Sequence, residues 1–246
     1  DSLTELELIR TKYIADTLFA TRLSFKYQEG RKFIVGQHHK QIADILDKVY
    51  AGEIRRLIIT IAPRYSKTEM VVKTFITKGL AINPSSKFIH LSYSDSLALD
   101  NSEKAKDIVN SDWYQELFPY VIPKKDSKSK KKWWTTAGGG VYATSSAGQV
   151  TGFGAGNVDE EEQLEDIYAE IEKTNTFSGA IIIDDPLKPE DASSSVMRDK
   201  VNERFETTIR SRVNSRNTPI IIIMQRLHKN DLVGYLLETE PDDWTV

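Results

Sequence analysis

Four short apolar runs constrain this chain most. They are RLIITIA (Arg56 to Ala62), KFIHLSY (Lys87 to Tyr93), GAIIIDDP (Gly179 to Pro186) and TPIIIIMQRLH (Thr218 to His228). Their apolar residues run on with little polar alternation, the pattern of strands covered on both faces. A stretch of helical character follows each one: SKTEMVVKTFITKGLAINP, SDSLALDNSEKAKDIVNS, SVMRDKVNERFETTIRSRV and KNDLVGYLLETE. Strands alternating with helices predict an α/β fold with a mostly parallel central sheet flanked by helices. Residues 1–50 read as a helical segment leading in. Leu3, Leu6, Leu8 and Ile9 begin one helix, and HHKQIADILDKVYAGE forms another that stops at Gly52. Residues 51–246 then form the core. Within it Gly138 to Gly156 reads as strands and turns, and WTV at the end begins a further element.

Composition excludes several classes. With 246 residues and 39% hydrophobic content the chain can bury a sizeable core. It has no cysteine, which removes disulfides and thiolate zinc sites and fits a reducing compartment. No apolar run approaches the length of a membrane span, and no membrane partner is expected. The opening DSLTELELIR is acidic and amphipathic, unlike a signal peptide, and the absent initiator Met points to a trimmed chain. The net charge of −3 is unevenly spread. KKDSKSKKKWW (Lys124 to Trp134) is basic beside tryptophans. It reads as a solvated loop or as a phosphate-contacting, base-stacking stretch in which Lys130, Lys131 and Lys132 meet DNA. Asp159 to Glu172 is acidic with helical spacing: an exposed amphipathic helix, or a docking helix for a partner.

The segment joining the first strand to its helix, IAPRYSKT (Ile61 to Thr68), has the place and length of a phosphate loop, G-x-x-x-x-G-K-[ST], but no glycine. Lys67 and Thr68 stand where the lysine for the β/γ phosphates and the Mg²⁺-ligating hydroxyl belong. The anion cradle itself comes from backbone N–H groups at a helix start, which no particular side chain supplies. Glycine is preferred there because it takes left-handed backbone freely. Ser66 is small, and Arg64 adds a cation within reach of phosphate.

The run AIIIDDP has the form of a Walker B strand. Asp184 is expected to hold Mg²⁺ through water, and Asp185 to orient or deprotonate the attacking water. Glutamate is more usual at that place, so Glu190 or Asp191 stands as the alternative base. The run IIIIMQR ends in Gln225 and Arg226, which in a sheet with a ligand at its C-terminal edge face the γ-phosphate. Gln225 is placed to sense it.

Taken together, these stretches resemble the ATPase domain of large terminase subunits, the DNA-packaging motors of tailed phages. The resemblance runs from His38-His39-x-Gln41 through APRYSKTE, WTTAGGGVYATSSAGQVTGFGAG and IIIDDPLKPEDA to MQRLHKNDLVG, about residues 30–246. It implies an additional-strand P-loop NTPase fold and Mg²⁺-dependent ATP hydrolysis that moves double-stranded DNA into a procapsid in the host cytoplasm. It implies a nucleotide-binding set of Gln41 (reading adenine), Pro63, Arg64, Tyr65, Ser66, Lys67, Thr68 and Glu69. Thr68 and Asp184 would hold the metal, and Lys67, Arg64, Asp185 and Gln225 would act in catalysis. An arginine finger from a neighbouring subunit is also implied, with Arg210, Arg212 and Arg226 as candidates. Implied partners are a portal protein, a small terminase subunit and further copies of the chain in a ring, the isolated domain being monomeric. The acidic segment Asp159 to Glu172 departs from the family pattern. Family members continue into a nuclease domain, and this chain is expected to hold the ATPase part alone.

Three other readings compete. A helicase-like translocase would share the ATP site but needs a second motor lobe. A metal-dependent nuclease would use Asp184 and Asp185, yet adjacent strand residues point to opposite faces. A nucleotide-inert module that docks on DNA or capsid would rest on the basic run.

Overall fold

The structure, a computed structural model, describes residues 4–125, 129–145, 177–210 and 218–246. Three helices open it: α1 (Glu5–Ala15), α2 (Thr17–Glu29) and α3 (Gln37–Tyr50). Thr4 caps α1 in a reciprocal box with Glu7. Asp16 divides α1 from α2: its backbone is extended, and its carboxylate accepts the Phe19 N–H at 3.0 Å. The strands are β1 (Arg56–Thr60), β2 (Lys87–Ser92), β3 (Lys132–Trp134), β4 (Gly140–Ser145), β5 (Gly179–Asp184) and β6 (Ile220–Met224). Between them lie α4 (Phe75–Ile82), α5 (Asp95–Asn110), α6 (Asp112–Leu117) and α7 (Ser195–Arg204), and α8 (Leu232–Thr239) follows β6.

The six strands form one sheet in the order β1-β6-β5-β2-β4-β3. All neighbours are parallel except β3, which runs antiparallel to β4 at the edge. The last strand in the chain, β6, is thus inserted between β1 and β5. Parallel pairing brings Thr60 opposite Met224, and Ile223 opposite Asp184, so three strands end together at one edge. At the other end β5 starts very close to β2. Gly179 takes φ 126°, and a Cβ there would lie 1.7 Å from the Lys87 carbonyl oxygen, so only glycine fits.

The uninterrupted apolar runs are explained by two cores. Successive strand residues face opposite ways. On one face Leu57, Phe88, Ile182, Ile221 and Ile223 join Tyr13, Leu46 and Phe75 from the helices. On the other, Ile58, Ile89, Ile183 and Ile222 pack with Val201, Leu236 and Trp244. The N-terminal helices share the first core with α4, so residues 4–50 pack on the same sheet as the rest. A buried polar contact reinforces this. Lys78 of α4 is 1% exposed and donates to Asp47 Oδ1 and Thr17 Oγ1, each at 2.8 Å.

Two expectations change. The long helix expected after the first strand is not uniform: residues 67 and 68 are helical, Glu69–Thr74 forms a π-helical turn, and α4 follows. The end of the basic run is an edge strand and not a loop. Trp133 is fully buried and donates its indole N–H to Ser102 Oγ at 3.0 Å, so it stacks on no base. Apolar area and a satisfied N–H outweigh the polarity of its lysine neighbours. The C-terminal WTV places Thr245 in a parallel bridge with Leu57. No helix among the described residues is long and apolar enough to cross a membrane.

Candidate active site

The loop from β1 to the Lys67 helix is exposed from Ala62 to Ser66. Its two unusual residues are Arg64 at φ 70° and Ser66 at φ 57°. Both are left-handed, the backbone region that glycine enters without penalty. The loop therefore adopts glycine-like geometry on side-chain-bearing residues, at about 1–3 kcal/mol of strain each. Such strain persists only where neighbours hold it. At one end the Ile61 N–H donates to Met224 O at 3.1 Å, extending the β1–β6 ladder. At the other the Met70 N–H reaches Ser66 O at 3.3 Å. In between, His39 Nε2 lies 3.3 Å from Tyr65 O. The first N–H groups of the helix beginning at Lys67 have no intrahelical partner, which makes this corner receptive to an anion.

The acid pair lies opposite. Asp184 ends β5 and is 5% exposed. Asp185 follows at φ 45°, also left-handed. Its N–H donates to Ile223 O, and its own carbonyl accepts the Tyr93 N–H, both at 2.9 Å. This turn changes the expectation that the two carboxylates face opposite ways. Strand alternation ends at Asp184, and both acids meet the Lys67 ammonium. Lys67 Nζ hydrogen-bonds Asp185 Oδ2 and lies 3.6 Å from Asp184 Oδ1. Thr68 donates its hydroxyl to Asp184 Oδ2 at 3.0 Å. Asp185 Oδ1 accepts the backbone N–H of Gln225 at 3.2 Å. Five residues from three distant stretches thus converge on one point.

Burial pushes the Asp184 carboxyl up to about 6, against the opposing pull of Lys67. Its Oδ1 is buried without a hydrogen-bond donor among the described residues. A buried carboxylate oxygen in this state fits a hard cation. Among the described residues no group of three acidic, histidine or cysteine side chains gathers to hold a metal. One carboxylate and one hydroxyl match Mg²⁺, which takes few protein ligands and completes its shell with phosphate oxygens and water.

The remaining candidates are placed unequally. Pro63 and Tyr65 sit on the loop, Tyr65 half exposed. Glu69 pairs with Lys73 one turn along and not with the acid pair. Gln41 is exposed on α3, two residues beyond His39 and so towards the other side of the helix. Gln225 reaches the site through its backbone N–H. Arg226 is held within its own chain, with Nε donating to Asp231 Oδ2 at 3.0 Å, where Asp231 caps α8. Glu190 forms an ion pair with Lys188 at 3.1 Å, and Asp191 shares its short 3-10 turn. The Arg210 side chain, Arg212 and the acidic segment 159–172 lie outside the described residues. The lysines of β3 and its approach are at the far end of the sheet from β1. Lys130 pairs with Glu103 at 2.7 Å, Lys131 lies over the Tyr142 ring and Lys132 over the Trp134 ring.

His39 has no assigned role in the sequence reading. Its signal there is faint: a histidine pair at the start of an amphipathic helix, 26 residues before the loop it touches. No protein-family model matches the chain, and no curated protein does.

Proposed function

We propose that this chain is a Mg²⁺-dependent ATP hydrolase of the additional-strand P-loop type. One observation carries the reading: Lys67 and Thr68, at a strained strand-to-helix loop, meet Asp184 and Asp185 at the end of a parallel strand. The insertion of β6 between β1 and β5 supports the additional-strand type. The loop N–H groups and Lys67 bind the β and γ phosphates, with Arg64 beside them. Thr68 and Asp184 hold the ion, which supplies charge neutralisation across the phosphates. Asp185 accepts the proton of the attacking water, and the Gln225 N–H orients its carboxylate. The chain order of these parts, with the resemblance to large terminase subunits, favours coupling of hydrolysis to movement of double-stranded DNA during procapsid filling. On this reading the portal, the small terminase subunit and a ring of further copies are partners in the host cytoplasm, and an arginine acts in trans. Lys130, Lys131 and Lys132 are the DNA-contact candidates.

The nuclease reading loses ground for a physical reason. Both acids share one ammonium and no third carboxylate gathers with them among the described residues, whereas a two-metal centre needs several carboxylates. The test of the proposal is ATP binding and turnover with Mg²⁺, wild type against Lys67→Ala. Loss of binding in Lys67→Ala is expected. Undetectable binding by wild type, or indistinguishable behaviour of the two, would falsify the assignment. Slow turnover alone does not, since an arginine supplied in trans is worth roughly 10³–10⁵ in rate.

A further inference from the structure

We infer that His39 is a positioning residue for the phosphate loop, aiming the Ser66 amide by holding the Tyr65 carbonyl. The inference rests on the nucleotide-site reading above. Tyr65 sits between the two left-handed residues, Arg64 and Ser66, so its peptide is the one that the strained backbone leaves most in need of restraint. His39 Nε2 lies 3.3 Å from its carbonyl oxygen. The other ring nitrogen, Nδ1, accepts the Gly36 N–H at 2.8 Å. Because Nδ1 must be unprotonated to accept, the neutral ring carries its hydrogen on Nε2 and donates it to Tyr65. One imidazole therefore ties the turn before α3 to the apex of the loop.

The ring has little room to do otherwise. His39 is 5% exposed, edge-on to Phe33 at 4.8 Å and with the His38 ring tilted against it at 3.8 Å. Burial also pulls its pKa down, which favours the neutral donor–acceptor form. A trans peptide is planar, with its carbonyl and the next N–H on opposite sides. Drawing the Tyr65 carbonyl towards α3 turns the Ser66 N–H away from α3. Glycine would reach this geometry unaided; this loop reaches it with an external hydrogen bond.

The experiment compares His39→Gln with His39→Leu, both of which fill the space while only glutamine can donate to Tyr65 O. Mg²⁺-ATP affinity is measured by calorimetry, melting temperature is measured alongside, and the Ser66 amide signal is followed by NMR. Wild type and Lys67→Ala serve as references. His39→Leu is expected to lose about tenfold in affinity and to shift the Ser66 amide signal, and His39→Gln to recover most of both at matched melting temperature. Equal affinities for the two variants, or an unmoved Ser66 signal in His39→Leu, overturn the inference. If wild type itself binds no Mg²⁺-ATP, the site reading fails instead, and wild-type binding that only Lys67→Ala abolishes separates the two failures.

Discussion

Lys67, 118 residues upstream of Asp185, is ion-paired with it across the mouth of the candidate site. The residue read as the phosphate-binding cation thus holds the residue read as the catalytic base. On the proposed reading, phosphate oxygens arriving at Lys67 would compete with that pair, release the ammonium and free Asp185 Oδ2 to accept a proton, so that the base would be masked until the substrate is in place.

Asp185→Asn is expected to separate binding from chemistry. It removes the charge that competes for Lys67, so ATP binds at least as tightly as to wild type. It also removes the proton acceptor, and turnover falls by about 10²–10⁴-fold. Calorimetric affinity beside steady-state hydrolysis checks both halves; turnover near the wild-type rate would return Glu190 or Asp191 to the role of base.

Asp184 makes the ligand-free protein less stable as pH rises. Its folded-state pKa of about 6 lies above the reference value of 3.8, so between those values the folded state holds the extra proton. The favourable contribution is complete below about pH 4 and lost as pH climbs through 6. Asp184→Asn is therefore expected to melt above wild type at pH 7.5 without Mg²⁺ or nucleotide. That margin should shrink towards pH 4. A margin that is constant with pH would contradict the assignment.

Ser66→Gly tests whether the loop is strained. Glycine accepts φ 57° without penalty. The folded state sheds about 1–3 kcal/mol of strain, offset in part by the larger entropy of an unfolded chain with glycine. Urea unfolding should show stability unchanged or slightly raised, with ATP binding retained. Ser66→Val, β-branched at a positive φ, should lose both, and a stable Ser66→Val that binds ATP would remove the strain argument.

The Lys78–Asp47–Thr17 contact is expected to hold the N-terminal helices on the helix that follows the phosphate loop. Removing one partner of a buried pair costs about 3–5 kcal/mol because the other charge is left without compensation. Asp47→Ala should therefore destabilise strongly, since it leaves Lys78 almost fully buried. Burial already lowers the Lys78 pKa, against the pull of Asp47, so the ammonium tolerates little further loss. Lys78→Met keeps the volume and should cost much less. Equal losses in chemical denaturation would show that packing and not charge sets the effect.

Local pattern carried a good part of the fold. The runs around Ile58, Ile89, Ile182 and Ile222 read as doubly covered strands because each alternate side chain has its own core to enter, and the structure supplies a core on each face. The stop at Gly52 was equally local: α3 ends at Tyr50 and Gly52 takes a left-handed φ of 77°. Trp133 shows the limit: in sequence it belongs to a basic run, and only packing against α5 makes it core. The Glu69–Thr74 π-helical turn is invisible to periodicity for the same reason, since its residues fit an α-helix equally well.

What the sequence determined by itself was four of the parallel strands and the helices that follow them, the strand-to-helix place of Lys67 and Thr68, and the paired acids after the Ile181–Ile183 run. These follow from neighbours a few residues apart, where side-chain spacing and capping act directly. Only the tertiary structure decided that β6 enters between β1 and β5, that Asp185 turns back so both acids face Lys67, and that His39 reaches Tyr65. Those outcomes depend on contacts between segments at least 26 residues apart. Such contacts form only when two cores close on one sheet, and no local propensity encodes their geometry.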